Sequence, residues 1–228
     1  MGIIDKEQLR ANLDEVIWKI EEARISVSEH HIVQLVAVGK YTDIENIATL
    51  YELGQRAFGE NQVQQLKERM AKLEDLPLEW HMIGRLQKNK INNLIDLNPA
   101  LMQSLDSLVL AEELNKKLTA KEAKMNCLLQ INSAREESKT GVTPEEAIDT
   151  YLQIKENYPN INLKGVMTIG AHTEEEALIR QSFETTHKIF ESLEKEGAAI
   201  CSMGMSGDYP LAIKCGSNLV RIGSALFK

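Results

Sequence analysis

Short apolar runs alternate with helix-sized amphipathic stretches along the whole chain, and nothing else in the sequence restricts the fold as much. In order, the runs cover residues 35–40, 56–61, 80–84, 101–104, 125–132, 163–169, 199–203 and 219–222. Each has strand length, and helix-sized sequence separates it from the next. Such alternation implies parallel pairing. Eight units in 228 residues imply an α/β fold, a single (β/α)8 TIM-type barrel with an extra N-terminal helix, in preference to a doubly wound open sheet. The barrel takes residues 1–228 as one domain, with no linker, low-complexity stretch or room for a second.

The helices carry their own signals. The first reads over about residues 5–27, with Leu9, Leu13, Val16, Ile17, Ile20 and Ala23 on one face. Asp5 with Gln8, Thr42 with Glu45, and Thr173 with Glu176 resemble capping boxes. Thr143-Pro144-Glu145-Glu146 reads as a helix start, and Gly54 and Gly197 as helix stops.

A net charge of −8 without a long basic run argues against non-specific nucleic-acid binding. No apolar stretch approaches the ~20 residues that span a membrane, and the N-terminal run from Met1 to Glu7 has no signal-peptide core. Cys127, Cys201 and Cys215 are too widely spaced for a metal-type pair, and an odd number leaves no complete disulfide set. The expectation is a reduced, soluble, cytoplasmic protein without a metal site.

In barrels of this kind the active site lies at the C-terminal strand ends. Lys40 ends the first run, where an amine can form a Schiff base. On the order of one lysine in a thousand is a free amine at neutral pH, and a half-buried strand end raises that share through desolvation and nearby cations. The alternative is a lysine snorkelling out of the core. Asn61 ends the second run, as a ligand contact or a helix cap. His81 lies in the third, as a site residue or a satisfied core histidine. Arg221 sits in the eighth, and a buried arginine needs either a carboxylate or a ligand acceptor. Gly204 and Ser206 follow the seventh run, and Gly223 and Ser224 the eighth. Those two turns are where barrels commonly hold phosphate, although Gly and Ser also favour ordinary tight turns.

Taken together, several segments resemble the pyridoxal 5′-phosphate (PLP) homeostasis proteins, the YggS/PROSC family, which look like the barrel domain of alanine racemase standing alone. The segments are Leu35-Val36-Ala37-Val38 with Lys40, Phe58-Gly59-Glu60-Asn61, Trp80-His81-Met82-Ile83-Gly84 with Leu86-Gln87 and Asn89-Lys90, Gln130-Ile131-Asn132 with Ser138-Lys139 and Gly141, Gly204-Met205-Ser206, and Val220-Arg221-Ile222-Gly223. The resemblance implies PLP on Lys40 as a Schiff base, phosphate contacts from Ser206, Gly223 and Ser224, Arg221 at the pyridine nitrogen, and Asn61 and His81 near the ring. Gly39, where the family usually has Ser, and Tyr41, Arg85 and Gly207 depart from its pattern.

An arginine at the pyridine nitrogen stays protonated and must donate, which weakens the ring as an electron sink. Two function classes follow. The first is a PLP-binding homeostasis protein with no catalytic residue, with PLP-dependent apo-enzymes as partners and a monomer as the expected state. The second is a PLP-dependent amino-acid racemase, which needs a second acid/base across from the lysine. In racemases a C-terminal β-domain supplies that group, and this sequence is not expected to carry one. A sugar-phosphate barrel enzyme is a third, weaker reading.

Overall fold

In the computed structural model, which describes residues 2–228, eight parallel strands close on themselves in chain order. Met1, at the start of the N-terminal run read above, lies outside the described residues. The strands are β1 Gln34–Val38, β2 Ala57–Glu60, β3 Glu79–Met82, β4 Leu101–Leu105, β5 Met125–Ile131, β6 Ile161–Thr168, β7 Ile200–Ser202 and β8 Leu219–Ile222. The helices are α1 Lys6–Val27 ahead of β1, then α2 Ile44–Glu52, α3 Val63–Lys72, α4 Ile91–Leu97, α5 Leu108–Ala120, α6 Ala147–Asn157, α7 Glu176–Leu193 and α8 Tyr209–Lys214 between successive strands. β8 pairs with β1, Arg221 opposite Val36, so the sheet keeps no open edge.

The strands are apolar on both faces because both are covered. A small cluster of Val36, Ala57, Leu101, Leu128, Met167 and Leu219, one residue from each of six strands, fills part of the inside. A much larger cluster lies between the strands and the helix ring. The N-terminal helix belongs to that ring: α1 packs on α8 and α2, the place a helix after β8 would take. Buried Asn12 of α1 ties in the C-terminus, donating to the carbonyls of Leu226 (2.9 Å) and Lys228 (3.1 Å).

Several local expectations are corrected. Ile17 is 44% exposed, because it lies one position round from Val16 and falls outside the stripe formed by Leu9, Leu13, Val16, Ile20 and Ala23. Thr42 does not cap α2: Asp43 holds the N-cap position, and Thr42 Oγ1 is buried, accepting from Asn46 Nδ2 at 2.8 Å. Thr143 bonds the Glu146 carboxylate at 2.7 Å, but residues 144–146 form a turn and α6 starts only at Ala147. Asp5 caps α1 through the Glu7 N–H, while Gln8 reaches Asn12 instead. β1 stops at Val38, so Lys40 sits on the loop beyond the strand.

Candidate ligand site at the barrel mouth

A cavity of about 820 Å³ opens at the C-terminal ends of the strands, within the usual range for small-molecule sites. Lys40, Asn61, Ser206, Arg221, Gly223 and Ser224 all line it, brought from four different loops and strand ends. Arg85 and Lys139 line it too, so four cations face one space in a chain of net charge −8. No carboxylate among the described residues lines it. Such a field selects an anion.

Lys40 is half-buried, its Nζ 4.9 Å above the Tyr41 ring. A buried ion pair fixes the loop that carries it. Arg69 from α3 donates to the carbonyls of Gly39 and Thr42, the latter at 2.7 Å, and pairs with Glu60 at the end of β2. Glu60 is fully buried and its Oε2 has no hydrogen-bond partner. Burial pushes its carboxyl up to about 7, against the opposing pull of Arg69. A Cβ at Gly39 would press on Arg69 Nη1 and come within 2.7 Å of Glu60 Oε1, so a larger residue there needs these side-chain ends to shift.

Across the cavity, the backbone N–H groups of Gly223 and Ala225 converge on one oxygen, Ser206 Oγ, each at 3.2 Å. The two amides thus converge on one hydroxyl oxygen, a donor arrangement of the kind glycine-containing turns supply. Gly204 does not line the cavity. It adopts φ +97°, and a Cβ there would lie 2.7 Å from Ala212 Cβ, so this glycine lets the loop after β7 fold down on α8. Asp208 pins the same loop by accepting from the Met205 N–H at 2.6 Å.

Arg221 is buried and pushed down to about 10, chiefly by desolvation, so it remains a cation. Its hydrogen bonds go to Ser202 Oγ and the Thr168 carbonyl, and neither acceptor is a carboxylate. That leaves a guanidinium without a direct counter-ion on the cavity wall.

His81 does not line the cavity. It points into the closed barrel interior, where Nδ1 meets Gln103 Nε2 at 2.9 Å and Nε2 meets Glu79 Oε1 at 2.7 Å. The reason is pleat geometry: His81 shares the inward face with Glu79, one layer below the strand end. Lys139, quoted for the resemblance without a role, is a lining residue whose Nζ bonds the Gly170 carbonyl (2.6 Å) and Glu136 (2.8 Å). The sequence gives no sign of the Arg69–Glu60 pair, since nine residues on, one arginine among many polar positions of a helix carries no signal. Gln103 was legible only as a polar residue inside an apolar run.

Cys127, Cys201 and Cys215 are buried free thiols. Among the described residues no group of three or more His, Cys, Asp or Glu is placed to hold a metal ion, and no helix is long and apolar enough to cross a membrane.

Fold and cavity together describe a (β/α)8 barrel protein with a cation-lined cavity at the C-terminal ends of its strands. The chain belongs to the alanine racemase N-terminal domain family, which matches residues 4–228. It is 56% identical over 219 residues to the pyridoxal phosphate homeostasis protein of Helicobacter pylori J99, covering 96% of this chain and 98% of that one. PipY of Synechococcus elongatus PCC7942, solved with PLP bound, is 30% identical with a TM-score of 0.77, covering 92% of this chain and 100% of PipY. An alanine racemase of Clostridium difficile 630, at 18% identity and a TM-score of 0.76, covers 97% of this chain and 56% of the racemase, and shares the fold.

Proposed function

We propose that this chain binds PLP, carries it on Lys40 and takes part in PLP homeostasis, the role that its Helicobacter relative's name states for that protein. One observation carries the proposal. A single carboxylate-free cavity gathers the Lys40 amine, the Gly223/Ala225 amide pair at Ser206, and the buried cation of Arg221. PLP supplies an aldehyde, a phosphate and a pyridine ring, and each has a counterpart among these residues. Lys40 Nζ takes the aldehyde, forming a C=N bond with loss of water. Ser206, Gly223 and Ser224 take the phosphate. Arg221, a donor only, serves the ring nitrogen, and Asn61 flanks the ring. His81 has no part in this assignment, since both its ring nitrogens are engaged inside the barrel.

In this reading the chain is one domain over residues 1–228 that holds and hands over the cofactor without turnover. It acts in the cytoplasm, as a monomer, with PLP-dependent apo-enzymes as recipients. Purified protein is expected to absorb as a bound PLP imine. Borohydride should fix the ligand on the peptide that contains Lys40, and Lys40→Ala should lose both signals. An unchanged spectrum in Lys40→Ala would overturn the assignment. Racemisation of alanine faster than by free PLP would overturn the reading of carriage without turnover.

A further inference from the structure

The barrel interior holds a continuous line of hydrogen bonds that the proposed cofactor contacts leave unexplained. Arg221 Nη1 donates to Ser202 Oγ at 2.5 Å, and Ser202 Oγ donates to Gln103 Oε1 at 2.6 Å. Gln103 Nε2 donates to His81 Nδ1 at 2.9 Å, and His81 Nε2 meets Glu79 Oε1 at 2.7 Å. Ser202, Gln103 and His81 are no more than 1% exposed. Glu79, the first residue of β3, lies at the barrel end opposite the cavity, and its side chain is 43% exposed.

Chemistry fixes the direction of every bond in this line. Arginine only donates, so Ser202 must accept from it and has its own proton left for Gln103 Oε1. The amide nitrogen of Gln103 then faces His81, so Nδ1 must accept and the ring proton sits on Nε2. An ionised Glu79 is acceptor-only and completes the set. The His81 bond is the chief influence that lowers the Glu79 carboxyl below its ordinary range, which keeps it ionised. Gln34 Nε2 also donates to Glu79 Oε1, at 3.1 Å, and steadies that end. A donor-only cation at one end and an acceptor-only anion at the other leave a single polarity for the groups between them. Bonds in such a chain polarise one another in a low-dielectric interior.

We infer that Glu79 is a positioning residue for Arg221. Acting through His81, Gln103 and Ser202 from the far end of the barrel, it holds the guanidinium in the orientation presented to the cavity. As far as it concerns PLP, the inference rests on the function proposed above. The line of bonds itself stands without a ligand.

The test uses the whole chain, first without PLP. Arg221 guanidinium 15N–1H signals, assigned by Arg221→Lys, should be resolved because both Nη groups are held. His81 should show the neutral tautomer protonated on Nε2. Glu79→Ala removes the terminal acceptor at a half-exposed position and should average the Arg221 signals without loss of folding. Glu79→Gln keeps an acceptor oxygen and should restore them. Once PLP is loaded, Glu79→Ala should release it about five-fold faster than wild type, the low end for coupling between distant sites, with Glu79→Gln near wild type. Unaltered Arg221 signals in Glu79→Ala, or a His81 protonated on Nδ1, would overturn the inference. A wild-type chain that takes up no PLP would instead overturn the proposed function, and the ligand-free signals would still decide the role of Glu79.

Discussion

Glu60 offers a sharp test of how the Lys40 loop is held. A carboxyl raised from 4.5 to about 7 binds its proton more tightly in the folded chain than in the unfolded one. The stability it contributes is therefore full below pH 4.5 and is lost as pH rises through about 7. At about 1.4 kcal/mol per unit, that interval bounds the loss at about 3 kcal/mol. Glu60→Gln keeps an acceptor for Arg69 and cannot ionise. At pH 4.5, with the carboxyl neutral in the folded chain and only half ionised in the unfolded one, variant and wild type should unfold at similar urea concentrations. By pH 8 the variant should be the more stable, by up to about 3 kcal/mol, or roughly 6–12 °C in melting temperature for a chain of this size. Carboxylates lowered by their partners, such as Glu79 and Glu136, slope the other way, but they are present in both chains and cancel in the difference. Parallel stability curves from pH 4.5 to 8 would refute the reasoning. So would a wild type that gains on the variant as pH rises, because attraction to Arg69 would then outweigh burial.

Gly39→Ser introduces a Cβ against Arg69 and Glu60. Urea unfolding should show a loss of about 1–3 kcal/mol, as for overpacking in a core, and unchanged stability would mean that Arg69 swings clear. Replacing Ser206 and Ser224 together with Ala should speed PLP loss about ten-fold, the value of one hydrogen bond to a charged group, measured by transfer to an excess of a PLP-scavenging apo-enzyme. Unaltered retention would move the phosphate away from the Gly223/Ala225 amides.

The fold was legible because a fully buried parallel strand leaves an apolar run, and eight such runs were there to count. β8 coincides with the apolar run Leu219–Ile222, which Asn218 and Gly223 bound sharply. Helix starts were less legible. Thr42 and Thr143 have the side chains that caps use, but burial drew the first to Asn46 and a three-residue turn displaced the second. The C-terminal strand ends follow from barrel geometry alone, and Lys40, Asn61, Ser206, Arg221, Gly223 and Ser224 from those ends line one cavity. His81 did not follow them. A strand places alternate residues inward at every level, and sequence does not distinguish the layer at the mouth from the layer below it. The partnership of Arg69 with Glu60 links a helix to a strand end, and no periodicity encodes such a contact.

The distribution of charge bears on how an anion reaches this site. A chain of net charge −8 repels a phosphorylated ligand at long range, yet Lys40, Arg85, Lys139 and Arg221 line the cavity without a lining carboxylate. Beyond a Debye length of about 8 Å at physiological salt, the exposed surface charges are screened, whereas charges in a partly closed, low-dielectric cavity are screened much less. The local field therefore governs the last part of the approach. Arg221 gains most from this arrangement. Its burial costs are not met by a direct carboxylate, and an anion in the cavity offsets them in a way that water at the open mouth does only in part. In the proposed reading, binding and relief of a buried charge are one event, which favours retention of the ligand.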